Sequence, residues 1–125
     1  MNQSQKAFDL EKRTVQFSEN IINLCQKVSK NIITINIVSQ LLRSATSIGA
    51  NYHEANGASS KKDFKNKIFI CKKESKETMY WLQLLSKADN GSIAECRRLW
   101  KEAYELTRIF TSIVTTMKKV KKLMF

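Results

Sequence analysis

The chain holds one histidine, His53, with Glu54 beside it and Arg43 ten residues earlier. Those side-chain types serve proton transfer and phosphate chemistry, but their spacing argues against both. Neighbours on a helix point about 100° apart, so His53 and Glu54 do not face one target. Arg43 and His53 differ by roughly 80° in direction and ~15 Å in rise, too far to act on one phosphate within one subunit. An RNA-cleaving pair would have to form between subunits. A single histidine cannot supply a two-His metal motif, and no GxSxG, P-loop or GxGxxG occurs. Cys25, Cys71 and Cys96 are odd in number and lack CxxC spacing. That argues against a disulfide framework or a zinc site and predicts three buried thiols in a reducing, cytoplasmic setting. The expectation is no catalytic residue, no metal and no cofactor.

Positive charge is the chemistry this sequence has in quantity. Its 125 residues carry 22 Lys+Arg against 11 Asp+Glu, a formal charge of +11. The charge is uneven: +2 over residues 1–30, zero over 31–60, +4 over 61–90 and +5 over 91–125. The tail Lys118-Lys119-Val120-Lys121-Lys122 is itself a basic run. Basic rows with aromatic neighbours suit phosphate contact and base stacking. No stretch approaches the ~18 uncharged apolar residues of a membrane span, and the N-terminus has no apolar signal region.

The elements that must position these charges are helices. Pro is absent and Gly occurs three times, against the needs of a β sandwich or barrel. Four amphipathic segments are predicted in one domain spanning 1–125, at about 4–28, 36–56, 61–89 and 93–123. In the first, Phe8, Val15 and Ile22 recur every seven residues, with Cys25 and Val28 continuing that face. After Ser29-Lys30-Asn31, the β-branched Ile32, Ile33, Thr34 and Ile35 predict a loop or frayed turn. The second places Ile37, Leu41, Ala45, Ile48, Tyr52 and Ala55 on one face. Its near-lack of charge predicts cover on more than one side. Gly57 suits its C-terminal cap.

The third opens at Ser60-Lys61-Lys62-Asp63, a variant capping box. It runs Phe64, Ile68, Cys71, Ser75, Thr78, Leu82, Leu85 in alternating steps of four and three. Ser92-Ile93-Ala94-Glu95 reads as a capping box for the fourth, where Cys96, Leu99, Ala103, Leu106, Phe110, Ile113, Met117 and Val120 form another such stripe. Short connections between long helices predict an all-α, antiparallel up-down-up-down four-helix bundle.

Turning the helices sorts the remaining residues. On the third, Lys62, Lys65, Lys72, Lys73 and Lys76 fall on one flank with Phe69 and Tyr80. Asp63, Glu74 and Glu77 fall on the other with Ile70 and Trp81. Phe69, Ile70, Tyr80 and Trp81 thus lie off the core stripe and are expected to form an oligomer interface. On the fourth, Arg97, Lys101, Arg108, Lys119 and Lys122 share the side opposite the core, with Tyr104 nearby. With Lys65, Lys72 and Lys76 these are the expected nucleic-acid contacts.

The stretch from Leu41 to Leu85 also carries a resemblance. Arg43-Ser44-Ala45, the run Ser47-Ile48-Gly49-Ala50-Asn51, Glu54, and Lys62-Asp63-Phe64 resemble the bacterial four-helix-bundle family encoded in intervening sequences of 23S ribosomal RNA genes. The runs Lys73–Thr78 and Tyr80-Trp81-Leu82 fit one branch of it. The resemblance implies a ring-shaped homopentamer and kinship to the basic accessory protein of diversity-generating retroelements, which associates with nucleic acid and a reverse transcriptase. It supplies no catalytic residues. Two departures stand out: Asn31-Ile32-Ile33-Thr34 replaces the usual Pro-x-x-Glu, and Asn51-Tyr52-His53-Glu54-Ala55 replaces Asn-Ile-Ala-Glu-Gly. For the motif residues the expectations are structural. Gly49 and Ala50 permit close helix approach, Asn51 and Glu54 hydrogen-bond across the bundle or cap the third helix, and Arg43 pairs with Glu54 of a neighbouring subunit.

Three functions compete on this reading. The first is a non-catalytic, homo-oligomeric, nucleic-acid-binding accessory protein. The second is an adaptor whose basic surface docks an acidic protein. The third is an RNase built between subunits from Arg43 and His53.

Overall fold

Asn31 decides where the second helix begins. Its side-chain oxygen accepts from the N–H groups of Ile33 and Thr34, both at 2.9 Å, while its own N–H donates to Thr34 Oγ1 at 3.0 Å. This reciprocal cap satisfies donors that a helix start otherwise leaves open. Residues 32–35 are therefore helical, not the loop expected from their β-branched side chains. The cap, worth about 1 kcal/mol, together with burial of Thr34, offsets the few tenths lost at each of the four β-branched residues. Asn31 and Thr34 thereby fill the positions of the missing Pro and Glu.

The computed structural model describes the backbone of residues 3–124 and the side-chain surroundings of residues 10–120. The helices are α1 (Gln3–Lys27), α2 (Ile32–Asn56), α3 (Lys61–Ala88) and α4 (Ile93–Met124), with a 3-10 turn at Asn90–Ser92 before α4. Cross-helix contacts fix the directions. Glu11 faces His53 and Thr14 faces Gly49, so α1 and α2 run antiparallel. Ser44–Thr78 and Glu54–Lys67 do the same for α2 and α3, and Met79–Thr107 and Phe69–Lys118 for α3 and α4. Arg13–Glu102 and Lys27–Glu95 close the bundle between α4 and α1.

Three of the four predicted core stripes hold over most of their length. α2 buries Leu41, Ala45, Ile48, Tyr52 and Ala55, and α3 buries Ile68, Cys71, Ser75, Thr78, Leu82 and Leu85. In α4 the stripe runs Cys96, Leu99, Ala103, Leu106 and Phe110, then passes to Val114 in place of Ile113, and Val120 is exposed. A straight helix drifts ~20° per heptad against a strict 3.5-residue repeat, and over this length the drift moves the seam by one position.

The first helix departs from expectation. Its core is Leu10, Thr14, Phe17, Ile21, Leu24 and Val28, while Val15 and Ile22 are exposed and Cys25 is half-buried. Phe8 lies outside the described side chains. Both sets repeat at helical spacing, and the buried one contains a threonine whose hydroxyl donates to the Glu11 carbonyl at 2.9 Å.

Two caps also differ. Gly57 ends α2 at φ −99°, so its freedom to adopt a left-handed conformation is unused, and its N–H bonds the Glu54 carbonyl at 3.1 Å. The Ser92 hydroxyl donates to the Asp89 carboxylate within the 3-10 turn, and the Glu95 carboxylate reaches Lys27 instead of closing a capping box. Ser60 caps α3 as expected, accepting from the Asp63 N–H at 3.0 Å.

Gly49 sits where α1 crosses α2. A Cβ there would lie 3.4 Å from Thr14 Cβ and Oγ1, ordinary contact at its near limit. The small residue keeps the two helices close; Ala50, by contrast, faces outward. Among the described residues no buried side-chain nitrogen or oxygen lacks a partner, as a settled core requires.

Candidate nucleic-acid interface

The acidic residues of α3 and α4 decide where positive charge remains free. Glu74 and Glu77 both reach Arg43 on α2, Glu74 at 3.4 Å, and Glu77 also accepts from the Trp81 indole N–H at 3.0 Å. Arg43 is therefore satisfied within its own chain, and Glu54 is paired with Lys67 at 2.8 Å. Within the chain, both members of the Arg43–Glu54 pair expected between subunits are engaged in α2–α3 pairs. Asn51 donates to the Ser47 carbonyl one turn back in α2. On the opposite side, Glu102 takes a bidentate pair of 2.7 Å bonds from Arg13, and Glu95 pairs with Lys27. The Glu102 hydrogen bond raises the Arg13 pKa above its ordinary value.

These carboxylates are thus drawn toward α2 or α1. The outer seam between α3 and α4 is left to cations and aromatic rings. Phe69 is 44% exposed and lies between two ammonium groups, Lys72 Nζ at 5.6 Å and Lys118 Nζ at 5.8 Å from its ring centre. Phe69, Lys72, Lys73 and Lys76 line a shallow depression of about 370 Å³. Further along α4, the Trp100 and Tyr104 rings stack at 5.7 Å and 3°, and the Arg108 guanidinium stands 5.9 Å from the Tyr104 ring centre. Such cation–ring contacts contribute about 0.5–1 kcal/mol each when exposed.

Arg97, Lys101, Arg108 and Lys119 are exposed on α4, and Lys76 on α3. Lys65 and Lys72 are half-buried. Lys122 lies outside the described side chains. Lys118 and Trp100 are additions: Lys118 reaches Phe69, and Trp100 extends the Tyr104–Arg108 ladder. The four-residue spacing of Trp100, Tyr104 and Arg108 was the available signal for the latter. Nothing in the sequence marks Lys118 over its neighbours in the tail.

The four large residues placed off the core stripe separate in space. Phe69 and the exposed Tyr80 lie on the lysine flank, while Ile70 and Trp81 lie toward α2. Trp81 is half-buried, packs against the core and meets Tyr80 edge-on at 4.9 Å. A second group of exposed apolar residues lies on the other two helices. Ile32 is 82% exposed, and Ile33, Ile35 and Leu42 follow on α2, with Val15 and Ile22 on α1. The register set by Thr14–Gly49 and Glu11–His53 brings Ile22 level with Leu42. The outer surface of α1 and α2 thus carries a neutral, aliphatic seam.

The residues with catalytic potential do not assemble. Arg43 turns toward α3, whereas His53, highly exposed, turns toward α1 with Nδ1 3.5 Å from Glu11 Oε1. Burial pushes the thiols up, Cys25 and Cys96 to about 11 and Cys71 to about 12, so each is protonated and unreactive at neutral pH. Among the described residues no cluster of His, Cys, Asp or Glu is arranged to hold a metal, and no helix is long and apolar enough to cross a membrane. Between α1 and α4 lies an open groove of about 460 Å³, floored by Phe17 and Leu99 and rimmed by Arg13, Lys101 and Glu102. It brings no reactive pair together.

A solved crystal structure from Bacteroides thetaiotaomicron VPI-5482, a protein of unknown function from the S23 ribosomal protein family, is similar to this chain. The two share 33% identity and a TM-score of 0.72, over 84% of this chain and 97% of that one. No curated protein matches. The family model for the 23S rRNA-intervening sequence protein matches residues 6–112, and the chain belongs to that family.

Proposed function

We propose that this chain is a non-catalytic, self-associating nucleic-acid-binding protein that presents the α3–α4 surface to phosphates. The observation that carries this reading is the segregation of its surface. Exposed cations and aromatic rings gather on α3 and α4, where four carboxylates, Glu74, Glu77, Glu95 and Glu102, are tied to Arg43, Lys27 and Arg13 on the other two helices. Each Lys or Arg that meets a phosphate releases a condensed counterion, so the binding energy rises steeply as salt falls.

The neutral seam on α1 and α2 supports self-association. A net charge of +11 makes two basic faces repel. Copies that meet through the neutral faces keep the basic faces apart and outward. The outer surface of two helices over Ile32–Ala50 spans about 27 Å by 20 Å, roughly 540 Å² per partner, approaching the ~800 Å² of a standard interface. The ring-shaped homopentamer that the family resemblance implies is closed by a contact between unlike rows, the α2 row of one copy on the α1 row of the next.

The test is fluorescence anisotropy of the purified protein with a structured RNA and with a duplex DNA, titrated from low to high salt. Tight binding with a steep log–log salt slope is expected. It is lost in the folded triple variant Arg97→Glu, Lys101→Glu, Arg108→Glu. Undiminished binding by that variant removes the α4 row from the interface. Absence of binding at the lowest salt removes the reading altogether. In that case, partners captured from nuclease-treated lysate would identify the basic surface as a dock for an acidic protein.

A further inference from the structure

We infer that the α3–α4 seam takes an unpaired nucleic-acid strand, with one base stacked on Phe69 between Lys72 and Lys118 and another on Tyr104 beside Arg108. The inference rests on the nucleic-acid reading above and makes it narrower. Its starting point is the cost of the arrangement. Phe69 is 44% exposed and Tyr104 is exposed, although both sit on helices whose other faces bury apolar groups fully. Each ring has a cation beside it: ammonium groups 5.6 and 5.8 Å from Phe69, a guanidinium 5.9 Å from Tyr104.

A duplex gains little from such rings, because its bases are already stacked on one another and its outer surface is phosphate. An unpaired strand offers a base face and a phosphate at every step. A ring flanked by cations matches that alternation.

The spacing fits as well. Lys118 over Phe69 and the Thr107–Met79 contact at 3.7 Å place both arrays along one seam. Phe69 lies level with residue 118, and Tyr104 is 14 residues nearer the α4 N-terminus. The two rings are therefore about 21 Å apart along the helix axis, the reach of about four nucleotides of extended strand. Lys76 lies between them on α3, available for intervening phosphates. Of the carboxylates that would repel a strand, Glu74, Glu77, Glu95 and Glu102 are engaged by α1 and α2, and the exposed Glu105 lines the groove between α1 and α4.

The experiment compares a fluorescein-labelled 12-nucleotide oligo(dT) with a mixed-sequence 12-base-pair duplex, using the full chain and the variants Phe69→Leu and Tyr104→Leu. Both variants keep an apolar side chain at an exposed position, and circular dichroism checks their helicity. The strand is expected to bind more tightly than the duplex despite its lower charge. Each Leu variant weakens strand binding about 10-fold, with the salt slope and duplex affinity unchanged. A second measurement needs no variant: an oligonucleotide carrying 5-iodouracil is expected to crosslink, on irradiation, to the peptides holding Phe69 and Tyr104. Equal affinity for both probes, or Leu variants that bind the strand as wild type does, overturns the stacking seam while leaving the electrostatic reading intact. Crosslinks confined to other peptides have the same force. Failure of both probes to bind at low salt overturns both readings together.

Discussion

The α1–α2 face and the α3–α4 face are built from helices of similar length, yet their outer surfaces have opposite characters. On α2 the outward residues include Ile32, Ile35 and Leu42 among uncharged polar groups, and the one arginine is held by Glu74 and Glu77. On α3 and α4 the outward residues are lysines, arginines and rings. Ion pairing sharpens this asymmetry beyond what composition gives. Among the described residues, four ion pairs take a carboxylate of α3 or α4 to a cation on α1 or α2, while Glu54–Lys67 joins α2 to α3 in the opposite sense. The basic face is made basic as much by removal of its acids as by its lysines.

The comparison breaks most visibly if charge is placed on the neutral face. If copies meet through this face as proposed, Ile35→Lys with Leu42→Lys turns the assembly into monomers, weakening association by 100-fold or more, because each charge placed in the contact lacks a partner. Sedimentation velocity reads the outcome directly. Tyr80→Lys, the same kind of change on the basic face, leaves the assembly unchanged. If the Ile35 and Leu42 variant keeps its size, the neutral seam is not the contact between copies.

Next in size is Arg43→Ala. It leaves Glu74, which is buried, and Glu77 without their cation. A loss of about 1–2 kcal/mol in urea unfolding is expected, reduced from a fully buried case because Arg43 is half exposed. Nucleic-acid affinity should not fall, although a positive charge has been removed, since this one is spent within the bundle. Lys101→Ala reverses the pattern: stability is unchanged, and the log–log salt slope for nucleic acid drops by about one. A fall in affinity for Arg43→Ala, with Lys101→Ala silent, would exchange the roles of the two faces.

Helix type and most of the core were legible in the sequence because α3 and α4 alternate steps of four and three without interruption. α1 was misread because it carries two apolar rows. Val15 and Ile22 repeat every seven residues, but Leu10, Phe17, Ile21, Leu24 and Val28 repeat as well, broken only by Thr14. The seven-residue spacing alone does not rank them; the longer row wins because it fills the bundle interior. The start of α2 is not legible from helix propensity, because the Asn31–Thr34 cap overrides the preference of the β-branched residues that follow it. At the surface, the positions of the cations could be read from helical angles. Which cations remained free could not, because pairing depends on interhelix register: Arg43 meets Glu74 and Glu77, and Lys118 meets Phe69, across 31, 34 and 49 residues of chain.

The smallest effect concerns Glu54 and Lys67, the pair at the α2–α3 end of the neutral face. The Lys67 hydrogen bond holds the Glu54 pKa below its ordinary 4.5, and Glu54 in turn raises that of Lys67. A carboxylate whose folded-state pKa is depressed stabilises the fold fully above its unfolded value. That contribution is lost as pH falls through the lower, folded value. Between about pH 5 and pH 3, the Glu54→Gln variant should therefore lose less stability than the parent, as read by urea unfolding at each pH. Because both groups are open to solvent, the difference should also shrink as salt rises. Parallel pH profiles for the two proteins at low salt would mean that the pair adds nothing to the fold. Glu54 would then be a free carboxylate on a face whose neutrality depends on its being matched, and the contrast between the two faces would rest on the Arg43 pairs alone.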